Sequence, residues 1–118
     1  VKEQPQRAER LTVSSRLIGQ VTVLALAGEI DDDSAGRFEE ALTAGQGPSP
    51  QRIVVDFSRV TFMDSAGINV LISAFRAMQG TDGWIRITAP EGAMRVIQIV
   101  ALDTIIACYP TVEQALQA

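Results

Sequence analysis

The spacing of apolar residues changes several times along the chain, and each change predicts an element. The stretch "LTVSSRLIGQVTVLALAG", residues 11–28, is rich in Val, Thr, Ile and Leu, with Gly19-Gln20 between two apolar runs, so it predicts a pair of strands joined as a hairpin. In "EIDDDSAGRFEEALTAG" the period lengthens. Ala35, Phe38, Ala41 and Leu42 recur at helical spacing behind an Asp/Ser cluster suited to a helix start, and Gly45 is suited to its end. "GQGPSP" reads as a loop, and "RIVVDF" as a short, covered, central strand. From Ser65 the residues Ile68, Leu71, Ile72, Phe75 and Met78 predict a helix that buries one apolar side and is closed by Gly80 and Gly83. "WIRIT" is a further strand, "PEGAMRVIQIVAL" a helix with Pro90 in its first turn, "TIIACY" a last strand and "TVEQALQA" a short closing helix.

The resulting order is β-β-α-β-α-β-α-β-α. After the opening hairpin, strands and helices alternate, which requires right-handed crossovers and mostly parallel pairing. The expected fold class is therefore α/β: a small mixed sheet whose crossover helices pack mainly on one face. The polar opening "VKEQPQRAER", with Pro5, reads as a loose leader, which leaves residues 11–118 as a single domain. A chain of 118 residues is large enough for one hydrophobic core and too short for two ordinary ones.

Composition narrows the functions. Hydrophobic residues make up 47% and charged residues 20%, as in ordinary globular proteins, while aromatics are only 5%, too few for a base-stacking platform. A formal net charge of −4, with no basic run, argues against nucleic-acid binding. No apolar run approaches membrane-spanning length and no secretory leader is evident, so the expectation is a cytoplasmic protein without membrane insertion. Cys108, the sole cysteine, reads as a buried spectator thiol. The chain has no His, which removes Ser-His-Asp and Cys-His chemistry, and its one lysine, Lys2, lies in the leader. No cofactor, metal or enzymatic activity is expected.

Against that background the polar group Asp64-Ser65-Ala66-Gly67 stands out between an apolar strand and an apolar helix. In a sheet with crossover helices, such a position lies where helix N-termini present unpaired N–H groups and positive dipole ends. A helix cap alone needs one of the two polar side chains. Position 68 is Ile, so Ser65 opens no capping box, and one polar group is spare. With no base available for catalysis, a presented hydroxyl is left as a modification acceptor or as part of a contact surface. A phosphate there would meet backbone N–H groups and the helix dipole, partly offset by repulsion from Asp64.

The stretch "IVVDFSRVTFMDSAGINVLISAF" resembles the signature of the STAS domain of bacterial anti-sigma factor antagonists: a strand, a short turn and Asp-Ser-x-Gly leading into an apolar helix. "VLALAGEIDDDSAGRFEEAL" resembles the family's Gly-Glu-Ile-Asp turn and first helix, and the closing strand-helix-strand-helix is similar as well. The resemblance implies that Ser65 is the serine presented to an anti-sigma factor acting as a serine kinase. The unphosphorylated protein would bind that factor and free a sigma factor; phosphorylation of Ser65 would end the interaction, and a serine phosphatase would reset it. It also implies a partner-binding surface of Asp31, Met63, Asp64, Ser65, Ala66, Gly67 and Asn69. Ala66 stands where Ser or Thr is common in the family, which narrows the acceptor to Ser65. Ala101 stands where Gly is common. Which acid of Asp31-Asp32-Asp33 faces a partner is left open.

Two other readings of these residues were weighed. The triple acid could bind a hard cation, but sequence neighbours seldom all point at one ion, and acids at a helix start suit the dipole; between these stands an acidic patch bordering Ser65 that meets a basic partner surface. Phe62 and Met63 read as packing residues that would suit a contact surface if exposed, and Trp84 as a packing residue that would keep its N–H near water. The alternative function is a non-phosphorylated STAS subunit that docks permanently in a signalling scaffold or membrane transport complex.

Overall fold

A computed structural model of the chain describes residues 11–43, 51–89 and 104–118. The opening hairpin consists of β1 (Leu11–Ile18) and β2 (Val21–Ile30), antiparallel from Leu11↔Gly28 to Ile18↔Val21. That register leaves Gly19-Gln20 as a two-residue turn. Gly19 adopts φ 63°, the left-handed conformation that matches such a turn to the strand twist. Next come α1 (Ala35–Thr43), β3 (Arg52–Met63), α2 (Ser65–Met78), β4 (Trp84–Thr88), β5 (Cys108–Tyr109) and α3 (Val112–Gln117). The five strands form one sheet in the order β1-β2-β3-β4-β5, with β2, β3, β4 and β5 parallel to one another. This is the mixed α/β architecture the alternating pattern predicts, with β3 at its centre.

Period-2 alternation divides the strand residues between two faces. Ile53, Val55 and Phe57 of β3, with Leu24, Leu26 and Ile30 of β2, face Phe38 and Leu42 of α1 and Leu71 of α2 in the larger core. Phe38 and Phe57 meet edge to face, with ring centroids 6.3 Å apart. Val23 and Val54, on the other face, are covered by Ala115 of α3. The helices α1 and α2 thus share one face, and the short α3 closes part of the other.

Four details depart from the sequence reading. The strand expected to end at Phe57 continues to Met63, because two bulges each fit an extra β3 residue against β2, one between Ala25 and Ala27 and the other between Gly28 and Glu29. Asp56 supports the first, its Oδ1 accepting from the Ser58 N–H at 2.9 Å. No short turn therefore precedes Asp64. The strand expected from Thr104 pairs only at Cys108–Tyr109: Ile106 is fully buried, whereas Ile105 stays exposed in a turn. Cys108 is half-buried rather than buried, its thiol directed at the Ile106 carbonyl oxygen at 3.3 Å. Phe62, read as a packing residue, is 51% exposed. Trp84 is half-buried beneath the Arg86 guanidinium, 3.7 Å from the ring centroid. The polar leader, Gly45, the "GQGPSP" loop and the helix expected from Pro90 lie outside the described residues.

Candidate functional site

The carboxyl ends of β2 and β3 lie side by side, with Ile30 in register with Met63. The Asp64 N–H donates to the Ile30 carbonyl oxygen at 3.1 Å, tying the start of α2 to the end of β2. Both strands then turn directly into helices, so the starts of α1 and α2 share one edge of the sheet.

At α2 the two polar residues have separate roles. Asp64, with extended backbone (φ −107°, ψ −166°), is the N-cap, and its Oδ1 accepts from the Ala66 N–H at 2.9 Å. Ser65 is the first helical residue and is exposed; among the described residues nothing holds its hydroxyl. Asn69, also exposed, lies one turn further along the same helix face. Ala66 is half-buried and Gly67 fully so. A Cβ on Gly67 would sit 2.7 Å from Ile30 Cγ2 and 2.7 Å from Met63 Cγ, so the missing side chain is what lets α2 start against the two strand ends. Met63 is half-buried against the core beneath that turn.

At α1, Asp31 is directed into its own turn. Its Oδ1 accepts from the backbone N–H groups of Asp33 at 3.0 Å and Ser34 at 3.1 Å. Ser34 completes the lock: its hydroxyl accepts from the Asp31 N–H at 2.9 Å and donates to the Glu29 carbonyl oxygen at 2.8 Å. Asp32 and Asp33 are exposed. Of the three acids, these two are the more open to solvent, while Asp31 is half-buried and shapes the loop. The sequence reading placed Ser34 only as part of an Asp/Ser cluster at a helix start; the Asp-x-x-Ser spacing before an apolar helical run is the signal that could have singled it out.

The seven predicted residues therefore gather along one edge, with Ser65, Asn69 and the acidic turn outward and Met63 and Gly67 beneath. Glu29, Asp31, Asp32, Asp33 and Asp64 are flanked here by two cations, exposed Arg59 and Arg37, whose Nη1 donates to the Leu11 carbonyl oxygen at 3.0 Å, so the edge is net negative. Among the described residues no three carboxylates or thiols are grouped to hold a metal ion. What this arrangement offers chemically is a serine hydroxyl at the positive end of a helix, within an acidic rim.

Comparison with known proteins bears on the chain as a whole. The sequence pattern of the STAS domain matches residues 12–115. The anti-sigma-F factor antagonist of Mycobacterium tuberculosis is 27% identical over 108 residues, spanning 92% of this chain and 88% of the relative. The anti-sigma-B factor antagonist of Listeria monocytogenes is 30% identical over 82 residues, spanning 69% and 72%. The crystal structure of an anti-sigma factor antagonist from Mycobacterium paratuberculosis superposes with a TM-score of 0.80 at 30% identity, over 91% of this chain and 92% of that one.

Proposed function

The chain belongs to the STAS domain family, and from that membership we propose that it is an anti-sigma factor antagonist switched by phosphorylation of Ser65. Its relatives are named as antagonists of anti-sigma factors, which makes an anti-sigma factor the partner class. The observation that carries the switch is the division of labour at α2: the Asp64 side chain serves as the N-cap, accepting from the Ala66 N–H, and leaves Ser65 exposed and unengaged among the described residues.

In this reading the partner is a serine kinase as well as the bound target. The Ser65 Oγ attacks the γ-phosphorus of ATP; the new Oγ–P bond forms as the bond to the β,γ-bridging oxygen breaks, ADP leaves, and the hydroxyl proton passes to the kinase's base or to water. The product carries a charge of roughly −1.5 to −2. It sits at the N-terminus of α2, where the dipole favours an anion by about 0.3–1 kcal/mol. Asp64 beside it opposes that gain. The fold tolerates the phosphate, and the change falls on the surface a partner meets: a dianion now stands where the partner's nucleotide phosphates must approach, and the complex separates. A serine phosphatase restores the hydroxyl. The chain itself is a regulatory binding protein rather than a catalyst.

Calorimetry of the purified chain with the anti-sigma factor kinases of its source organism tests this. Ser65→Asp should lose binding while melting cooperatively, and Ser65→Ala should bind yet not be released by ATP. Undiminished binding by Ser65→Asp would overturn the proposal.

A further inference from the structure

The second bulge in β3 has a consequence for the acidic edge. Where Gly28 and Glu29 of β2 are adjacent, their partners Val60 and Phe62 are separated by an extra residue, Thr61, whose hydroxyl donates to the Gly28 carbonyl oxygen at 3.2 Å. Val60 and Met63 both pack against the larger core. The two residues between them are thereby kept off the α2 face, and Phe62 ends 51% exposed on the opposite face of the strand, two residues before the helix cap. Its register neighbour across the strand is Glu29.

Large exposed apolar side chains are few among the described residues: Leu17, Ile18, Phe62 and Ile105. Leu17 and Ile18 belong to the hairpin turn at the amino end of β2, the opposite end of the sheet from Ser65. Phe62 is the only aromatic of the four. It lies near the carboxyl ends of β2 and β3, where Glu29, Asp31, Asp32, Asp33 and Asp64 outnumber the two flanking cations, Arg37 and Arg59. An exposed aromatic ring beside Glu29, at a net-negative edge, has the composition of an interface hot spot next to a charged rim, since aromatic anchors supply most of the binding energy and rim charges steer association.

We propose that Phe62 is the apolar anchor of the partner interface, seated in a pocket on a basic surface of the anti-sigma factor that reaches around the carboxyl edge of the sheet from Ser65. This rests on the function proposed above and adds to it a second contact, one that phosphorylation does not touch. Ser65 is the switch and Phe62 supplies affinity.

The test measures the affinity of the full chain for each purified anti-sigma factor serine kinase of the source organism, with thermal melting alongside. Phe62→Ala should weaken binding by roughly 30-fold or more, the size of a hot-spot truncation, without lowering the melting temperature. Phe62→Leu should retain most of the affinity, and Leu17→Ala, at the far end, should leave it unchanged. The Asp32→Asn/Asp33→Asn variant should associate more slowly and with a flatter salt dependence. Binding by Phe62→Ala within about threefold of wild type would overturn the anchor while leaving the Ser65 switch standing; hot-spot losses are larger than that. An association rate and salt dependence unchanged in the double variant would overturn the basic partner surface. If the wild-type chain binds none of the kinases, the functional reading falls and the inference falls with it.

Discussion

Replacing Gly67 with Ala adds one methyl group where α2 touches the ends of β2 and β3. The new Cβ would lie 2.7 Å from Ile30 Cγ2, 2.7 Å from Met63 Cγ and 2.9 Å from Met63 Sδ. Met63 has rotatable bonds and can move aside. Ile30 is wholly buried and branched at Cβ, so it gives way only if the helix start lifts off the strand. In an open helix the same substitution stabilises by about 1 kcal/mol through backbone entropy. Overpacking of a filled site costs about 1–3 kcal/mol. The expected net effect is a loss of up to roughly 2 kcal/mol, because the propensity gain offsets part of the strain. For a chain of this size 1 kcal/mol corresponds to a fall of roughly 4 °C in Tm, so the shift is measurable. Gly36, the second residue of α1, supplies the control: a Cβ there meets nothing within 4 Å, so Gly36→Ala should stabilise by up to about 1 kcal/mol. Urea unfolding of both variants decides the matter. If Gly67→Ala is as stabilising as Gly36→Ala, close packing at the site is not what glycine serves there.

Asp64→Ala should cost about 1 kcal/mol by leaving the Ala66 N–H uncapped, while Asp64→Asn should recover most of it, as read from urea midpoints. Ser34 is 8% exposed and its hydroxyl both accepts and donates within the acidic turn, so Ser34→Ala should cost about 1–3 kcal/mol and speed amide exchange of Asp31; unchanged exchange would show that the turn holds without it.

The parts of the fold legible in the sequence are those where local chemistry and tertiary demand agree. Gly19 supplies the positive φ of the hairpin turn, and the heptad-like spacing of α2 marks the face that carries Leu71 into the core. The end of β3 was illegible because its two bulges break the alternation: "SRVTF" mixes polar and apolar residues in the manner of a turn, yet each bulge absorbs one residue and pairing with β2 resumes. At β5 the apolar run suggested a longer strand, but only Cys108 and Tyr109 reach β4, since Ile106 is drawn into the core and Ile105 turns outward. At the site, Asp64 and Ser65 could be picked out by type and position. Ser34 was legible only as part of a helix-start cluster, since its two-way bonding depends on the turn closing on itself, and the exposure of Phe62 was not legible, because a bulge decides which face that side chain joins.

Along the acidic edge, the cap, the close-packed glycine and the exposed serine form one device: Asp64 and Gly67 fix the start of α2 so that Ser65 is held outward without being used by the fold. The most direct test of the proposed switch is to incubate the purified chain with each anti-sigma factor kinase of its source organism and ATP, map any phosphate by mass spectrometry, and measure binding before and after. The account predicts one phosphate, on Ser65, and loss of the complex with it. Phosphate elsewhere with Ser65 unmodified, or a Ser65-phosphorylated chain that still binds as tightly, would contradict it.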